Sequence, residues 1–316
     1  IHVLKLIGGL LFLIQPFVFG KYVNKRYNIN WNASPDNSLI SSRWNGFAIN
    51  IASFIHNNTD VTVLTFFTNL KTVSIYSVYM LVSSGLKQVV IACLSGIANT
   101  VGQSYAKQDW DELNNKLDIY EYIVFILVFF LFTIAALLIT PFVQLYTNGI
   151  TDANYFQPMF GYLLIISEAL YLVKTPHLDL AYSANKFKEI TFPAYIEAFL
   201  NIIISVILVK KIGLIGVAIG TIVAMIYRMV FQVYFTTKII PGRKQFIFYK
   251  KLIIFTIFSI ISFYICSCLF VFESLSILNW IIHAFIYSFI VGINLLIPSL
   301  LFFKNEILFF IKYTRG

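Results

Sequence analysis

The sequence predicts an all-α polytopic membrane protein, and three observations predict it. Mean hydropathy is +0.81. Hydrophobic residues make up 59% of the chain and charged ones only 12%, about half the ~25% charged share of soluble domains. Apolar runs of about 20 residues, the length that crosses ~30 Å of hydrocarbon as a helix, recur along the whole chain. A transmembrane barrel would instead show alternating segments of about ten residues. One such run could be a targeting peptide, but a series of them is the fold itself.

Nine runs qualify: 1-20, 47-70, 74-100, 119-140, 157-180, 190-209, 214-237, 252-272 and 278-303. The first starts at Ile1 with no flanking loop and no methionine, so the chain reads as the C-terminal part of a longer protein. Residues 21-46, with Pro35 and several Asn and Ser residues, read as a flexible linker. The second run holds a polar strip, His56 to Asp60, and the third holds Lys87. Ahead of the fourth, "QDWDELNNKLDIYEY" (108-122) has charged and apolar residues at helical spacing. It reads either as a short amphipathic piece at the membrane surface or as a solvated loop entering the span. The fifth contains Pro176, which lacks a donor and should kink or loosen its helix. In the seventh, Gly216 and Gly220 share one face and let a neighbouring backbone approach, as static packing or as a sliding contact. Cys93, Cys266 and Cys268 fall in spans without metal-ligand spacing and read as packing residues.

Basic residues set the orientation, because Lys and Arg concentrate in cytoplasmic loops. Sixteen fall on alternate connections that include 21-46, 238-251 and the tail, against Lys71, Lys210 and Lys211 on the other set. The first set is therefore expected in the cytoplasm, with the C-terminus. The net charge of +9 then reflects topology and attraction to anionic lipid, with no need for nucleic acid. Loops are too short for a soluble catalytic domain. The chain has no Gly-rich phosphate loop, nucleophile elbow or His/Cys/carboxylate cluster, so neither enzyme, cofactor nor metal is expected. The sequons at Asn57 and Asn32 fall in a span and a cytoplasmic loop, which argues against glycosylation.

From Tyr182 the chain reads "YSANKFKEITFPAYIEAFLNIIISVILVKKIGLIGVAIGTIVA". It combines a short Lys-containing turn (Asn185 to Lys188), a helix with Glu197, Ala198 and Asn201, and the pattern Gly213, Gly216, Gly220, Thr221. With Thr59 to Val82 and Pro141 to Tyr155, it resembles the polysaccharide flippases of the multidrug/oligosaccharidyl-lipid/polysaccharide exporter superfamily. The resemblance covers most of 47-238. It implies two six-helix lobes around a central cavity, with two further helices in some members. On that frame 1-20 is the last helix of the first lobe, 21-46 the inter-lobe linker, 47-238 the second lobe, and 239-316 two added helices with a cytoplasmic tail. The implied cargo is an undecaprenyl-pyrophosphate-linked oligosaccharide, moved across a bacterial cytoplasmic membrane by alternating access for capsule, O-antigen or exopolysaccharide assembly. Membrane lipids, a polysaccharide polymerase and other assembly proteins are the implied partners.

A charge at the bilayer centre costs roughly 2.5-3.5 kcal/mol on insertion scales, so ionisable residues there face a cavity or one another. Asp60, Lys87, Glu168, Lys174, Glu197 and Arg228 lie away from span ends, with His56, His177 and Asp179 as further candidates. Asp60 and Lys87 sit on consecutive helices about 20 Å into their spans, which suggests an ion pair. His56 and Asp60, four apart, share a helix face expected to line a wet cavity. Asp60 there serves either proton or cation coupling or a structural pair with Lys87. Glu168 and Asp179, eleven apart, share a face of a straight helix. Lys87, Lys174 and Arg228 suit a pyrophosphate that has left water. Two alternatives remain: a multidrug or cation exporter of the same fold, which would use acidic and aromatic cavity groups, and a polysaccharide polymerase, which would need a large outward loop.

Overall fold

In hydrocarbon every peptide N–H and C=O must be bonded within its own segment, so long apolar runs become helices. The computed structural model describes residues 2–27, 43–269, 275–304 and 306–308. They form α1 His2–Arg26, α2 Arg43–Phe67, α3 Leu70–Lys107, α4 Trp110–Tyr146, α5 Pro158–Val173, α6 Thr175–Ser183, α7 Phe187–Ile212, α8 Leu214–Ile239, α9 Gln245–Leu269 and α10 Ile277–Phe302. No strand occurs among the described residues. Most of the linker, with Pro35 and the Asn32 sequon, lies outside them, as do the end of the eighth span and the tail residues Lys312 and Arg315.

Among the described residues, seven helices are long and apolar enough to cross a membrane: α1, α3, α4, α7, α8, α9 and α10. The two expected spans outside that set have physical reasons. In α2 the polar strip His56 to Asp60 dilutes the apolar run. The run 157-180 is broken at Lys174 into α5, of 16 residues, and α6, of 9. Pro176 sits in the first turn of α6, where its missing N–H and its ring end the continuous ladder.

The chain divides into two compact units, one up to residue 41 and one from 42 onward. The first contains α1, which has Pro16 in its interior and ends on Lys25 and Arg26.

Helices α3 and α4 have 38 and 37 residues. At ~1.5 Å per residue they run about 55 Å, well beyond ~30 Å of hydrocarbon, so both extend past it. Gln108 (φ 57°) closes α3, and the Asp109 side chain accepts from Glu112 N–H at 2.9 Å to start α4. Residues 108-122 are therefore mostly the opening turns of α4. They are amphipathic as one reading had it, but continuous with the span.

Between α7 and α8 the chain reverses at Gly213 (φ 57°, ψ −130°), a conformation that favours glycine. A Cβ on Gly216 would lie 2.5 Å from the Leu208 carbonyl carbon, and one on Gly220 2.2 Å from Ser205 Oγ. The two backbones thus touch. Helix α2 packs chiefly on α7, and only lightly on α8 and on its sequence neighbour α3. Helices α5 and α6 lie against α8, α4 and α3, and α9 and α10 pack together on α4. Phe125, Phe255 and Phe303 build the aromatic seam that holds them there. Thr59, Thr62 and Thr65 donate their hydroxyls to carbonyls one turn earlier in α2, which lets these polar residues sit in an apolar setting. Of the three cysteines only Cys266 packs inside; Cys93 and Cys268 are exposed, so the expectation of three packing cysteines is corrected.

Candidate functional site

The turns at 107–110, 183–187 and 239–245 share one end of the second unit, here called the basic end because it carries Lys107, Lys186, Lys188, Lys238 and Lys244. Measured from the other end, the polar side chains fall into three successive layers.

In the layer farthest from the basic end, Thr221 Oγ1 on α8 lies 3.0 Å from both carboxylate oxygens of Asp60 on α2. Asn201 Nδ2 on α7 and the Tyr76 hydroxyl on α3 each donate to Asp60 at 3.4 Å. The Ser205 hydroxyl donates to Asn201 Oδ1 at 3.0 Å and approaches the Val217 carbonyl at 3.4 Å. One carboxylate is thus met by two hydroxyls and an amide N–H. Its chemistry fits a proton or a hard monovalent cation better than a soft transition metal. No group of three or more His, Cys, Asp or Glu able to hold a metal occurs among the described residues.

Toward the basic end the same three helices supply the second layer, because His56 precedes Asp60 by four residues, Glu197 precedes Asn201 by four, and Arg228 follows Thr221 by seven. Arg228 Nε is 3.3 Å from Glu197 Oε2, and its Nη1 donates to the Ile190 carbonyl at 3.1 Å. His56 Nδ1 is 3.5 Å from Glu197 Oε1. Beside them Lys87 Nζ is 3.0 Å from Glu168 Oε2. The Tyr171 ring takes two ammonium groups, Lys87 at 4.2 Å and Lys174 at 4.0 Å from its centroid.

Three cations and two carboxylates leave one positive charge over. Lys87 has Glu168 and Arg228 has Glu197. Lys174, 2% exposed, touches the Tyr171 ring and Met225 Sδ at 3.8 Å, with no carboxylate within 4.0 Å among the described residues. It borders a cavity of about 50 Å³ lined also by His56, Tyr171, Tyr182, Glu197 and Arg228. That volume admits several waters at roughly 10–15 Å³ each.

The third layer, at the basic end, is an ionic cluster. Glu121 on α4, fully buried, meets Arg243 in a very close pair and Lys251 of α9 at 2.8 Å. Asp118 meets the same two cations at 3.2 and 2.9 Å. His177 on α6 places Nε2 3.3 Å from Glu121 Oε1 and Nδ1 2.9 Å from Thr236 Oγ1. Nearby, Tyr120 donates to Asp179 at 2.6 Å. Two carboxylates balance two cations here, so this cluster has no excess charge to offer a ligand.

Several expectations are corrected. Asp60 and Lys87 form no pair, because α2 turns Asp60 toward α7 and α8 while Lys87 faces α5. The strip on α2 does not line one cavity: His56 does, whereas Asp60 is packed into the first layer. Glu168 and Asp179 do not act together, since the break at Lys174 sends one to Lys87 and the other to Tyr120. Arg243 and Lys251, read as orientation signals, are buried partners of Glu121. Sequence reasoning passed over Glu121 altogether. Its isolation in the apolar run after Asp118 was the available signal.

No family model and no curated protein matches the sequence. The chain's structure is similar to that of the lipid II flippase MurJ in its inward closed conformation, with a TM-score of 0.63 and 18% identity. The similarity covers 83% of this chain and 53% of that one, so the chain spans about half of that protein's length. At such identity the likeness establishes the fold, that of an all-α multi-pass membrane protein with a MurJ-like arrangement of helices.

Proposed function

We propose that the chain is the second lobe, with adjoining helices, of a flippase that carries a lipid-linked oligosaccharide diphosphate across a bacterial cytoplasmic membrane by alternating access, for surface-polysaccharide assembly. The observation that carries this reading is Lys174: a buried ammonium beside a cavity, left over after the two neighbouring ion pairs are made. Holding such a charge without a carboxylate is costly unless an anion arrives to share it. A diphosphate does this when its headgroup leaves water. The fold likeness to a lipid II flippase supports the reading at the level of architecture.

In this reading residues 1-20 close the first lobe, 21-46 link the lobes, 47-238 form the second lobe, and 239-316 add two helices and a cytoplasmic tail. The basic end faces the cytoplasm, as the positive-inside rule requires. Asp60, with Asn201, Ser205 and Thr221, serves as the proton or monovalent-cation coupling group. The exporter alternative draws support from the same carboxylate, but the excess charge of the second layer is cationic and disfavours a cationic drug. Full-length protein in vesicles tests the cargo: a fluorescent lipid-linked oligosaccharide diphosphate should change leaflet, and a neutral glycolipid of equal size should not. Equal movement of both, or movement of cationic dyes alone, would remove the anion-based reading.

A further inference from the structure

Arg228, Gln232 and Thr236 occupy successive turns of α8 and form one stripe along it. Its ends are accounted for. Arg228 borders the cavity. Thr236 Oγ1 donates to the Gln232 carbonyl at 3.0 Å and meets His177 Nδ1 at 2.9 Å, and His177 reaches Glu121. The middle is not accounted for. The Gln232 side chain is 0% exposed, yet neither its amide nitrogen nor its amide oxygen finds a partner among the described residues.

Buried polar groups are almost always bonded, to protein or to ordered water. Gln232 sits between a cavity large enough for water and a cluster whose Asp118 side chain is 25% exposed. Several helices bring charged or titratable groups to this stretch: Arg228 on α8, Glu197 on α7, Lys174, His177 and Asp179 on α5 and α6, Glu121 on α4, and Arg243 and Lys251 leading into and on α9. Most are already held by one another, so the unmet demand at Gln232 is left for water.

We infer that Gln232 binds internal water that joins the central cavity to the ionic cluster at the basic end, and that protons cross this half of the lobe along the joined path. Each relaying water forms one O–H bond and breaks another, so water and Gln232 end unchanged. The Thr236 hydroxyl turns from the Gln232 carbonyl, gives its proton to His177 Nδ1 and takes one from the water, while His177 releases one from Nε2 toward Glu121, and the ring then resets its tautomer. Lys251, 2.8 Å from Glu121 Oε2 and 2.9 Å from Asp118 Oδ1, gives a proton to Asp118 and takes one back from Glu121, and the half-buried Asp118 releases it to bulk water. The inference rests on the unpartnered Gln232 side chain and its place between the cavity and the ionic cluster, not on the cargo, so it stands or falls apart from the flippase reading.

The test uses full-length protein in two measurements. In hydroxyl-radical footprinting with labelled water, Met229, 5% exposed and three residues from Gln232, should be oxidised in the native protein and at least five-fold less in Gln232→Met. In vesicles with an internal pH dye and a clamped potential, proton flux should fall at least ten-fold in Gln232→Met while Tyr182, in the cavity, stays reactive. A Met229 that resists oxidation in the native protein would overturn the water site without any variant. Oxidation with unchanged flux in Gln232→Met would overturn the proton path. Gln232→Asn, which keeps an amide, should retain part of the flux, and its complete loss would count against the relay.

Discussion

Glu121→Ala is expected to lower stability by about 3–5 kcal/mol, the usual cost of leaving buried charges without their partner. Arg243 and Lys251 would then share only Asp118, and His177 would lose the carboxylate at 3.3 Å. Because this cluster joins α4 to α9 and to the α8–α9 turn, the damage should appear first as protease cleavage near residues 239–245 and as a lower melting temperature in detergent. The sign of a second substitution makes the prediction specific. Replacing a buried ion pair by apolar residues is often neutral, so Glu121→Leu combined with Lys251→Met, which leaves Arg243 with Asp118, should recover most of the loss. A double variant as unstable as the sum of its two singles would show that the cluster is not acting as a unit.

Lys174→Met should abolish most transport while leaving the protein as stable as before, or slightly more so. Methionine, one atom shorter and unbranched, keeps most of the packing against Tyr171 and Met225 but removes the unshared charge. A hydrogen bond to a charged group contributes about 1.5–3 kcal/mol, which corresponds to a loss of roughly ten-fold to a hundred-fold in anion affinity. Lys87→Ala and Arg228→Ala are poorer probes, because each also strands a carboxylate, Glu168 or Glu197. Surface polysaccharide and melting temperature measured on the same samples check the prediction. A variant that exports normally, or that loses stability in step with export, would assign Lys174 to structure instead.

What could be read from the sequence depended on whether a feature is local. Span positions were legible because hydrocarbon thickness fixes the run length, and the break near Lys174 was legible because proline removes a donor wherever it stands. The close approach of α7 and α8 followed from glycines spaced four apart. Partners across helices were not legible. Consecutive spans suggested Asp60 with Lys87, but α2 rests on α7 and α8, so Asp60 found Asn201 and Thr221, residues 141 and 161 positions away. Arg243 and Lys251 were misread for a related reason: a basic residue near a span end looks the same in sequence whether water or Glu121 receives it. Lys174 was among the candidates read from the sequence, but its excess charge emerged only once Lys87 and Arg228 had been matched to their carboxylates.

The central claim is that the lobe's leftover cation serves an anionic lipid-linked cargo. The most direct measurement is mass spectrometry of lipid-linked glycans, with leaflet assignment by an impermeant reagent, in cells depleted of the full-length protein. The account predicts accumulation of one oligosaccharide diphosphate lipid that the reagent cannot reach. Absence of that intermediate, together with a fall in cationic dye efflux, would contradict the account and make the Asp60 carboxylate the working site of an exporter.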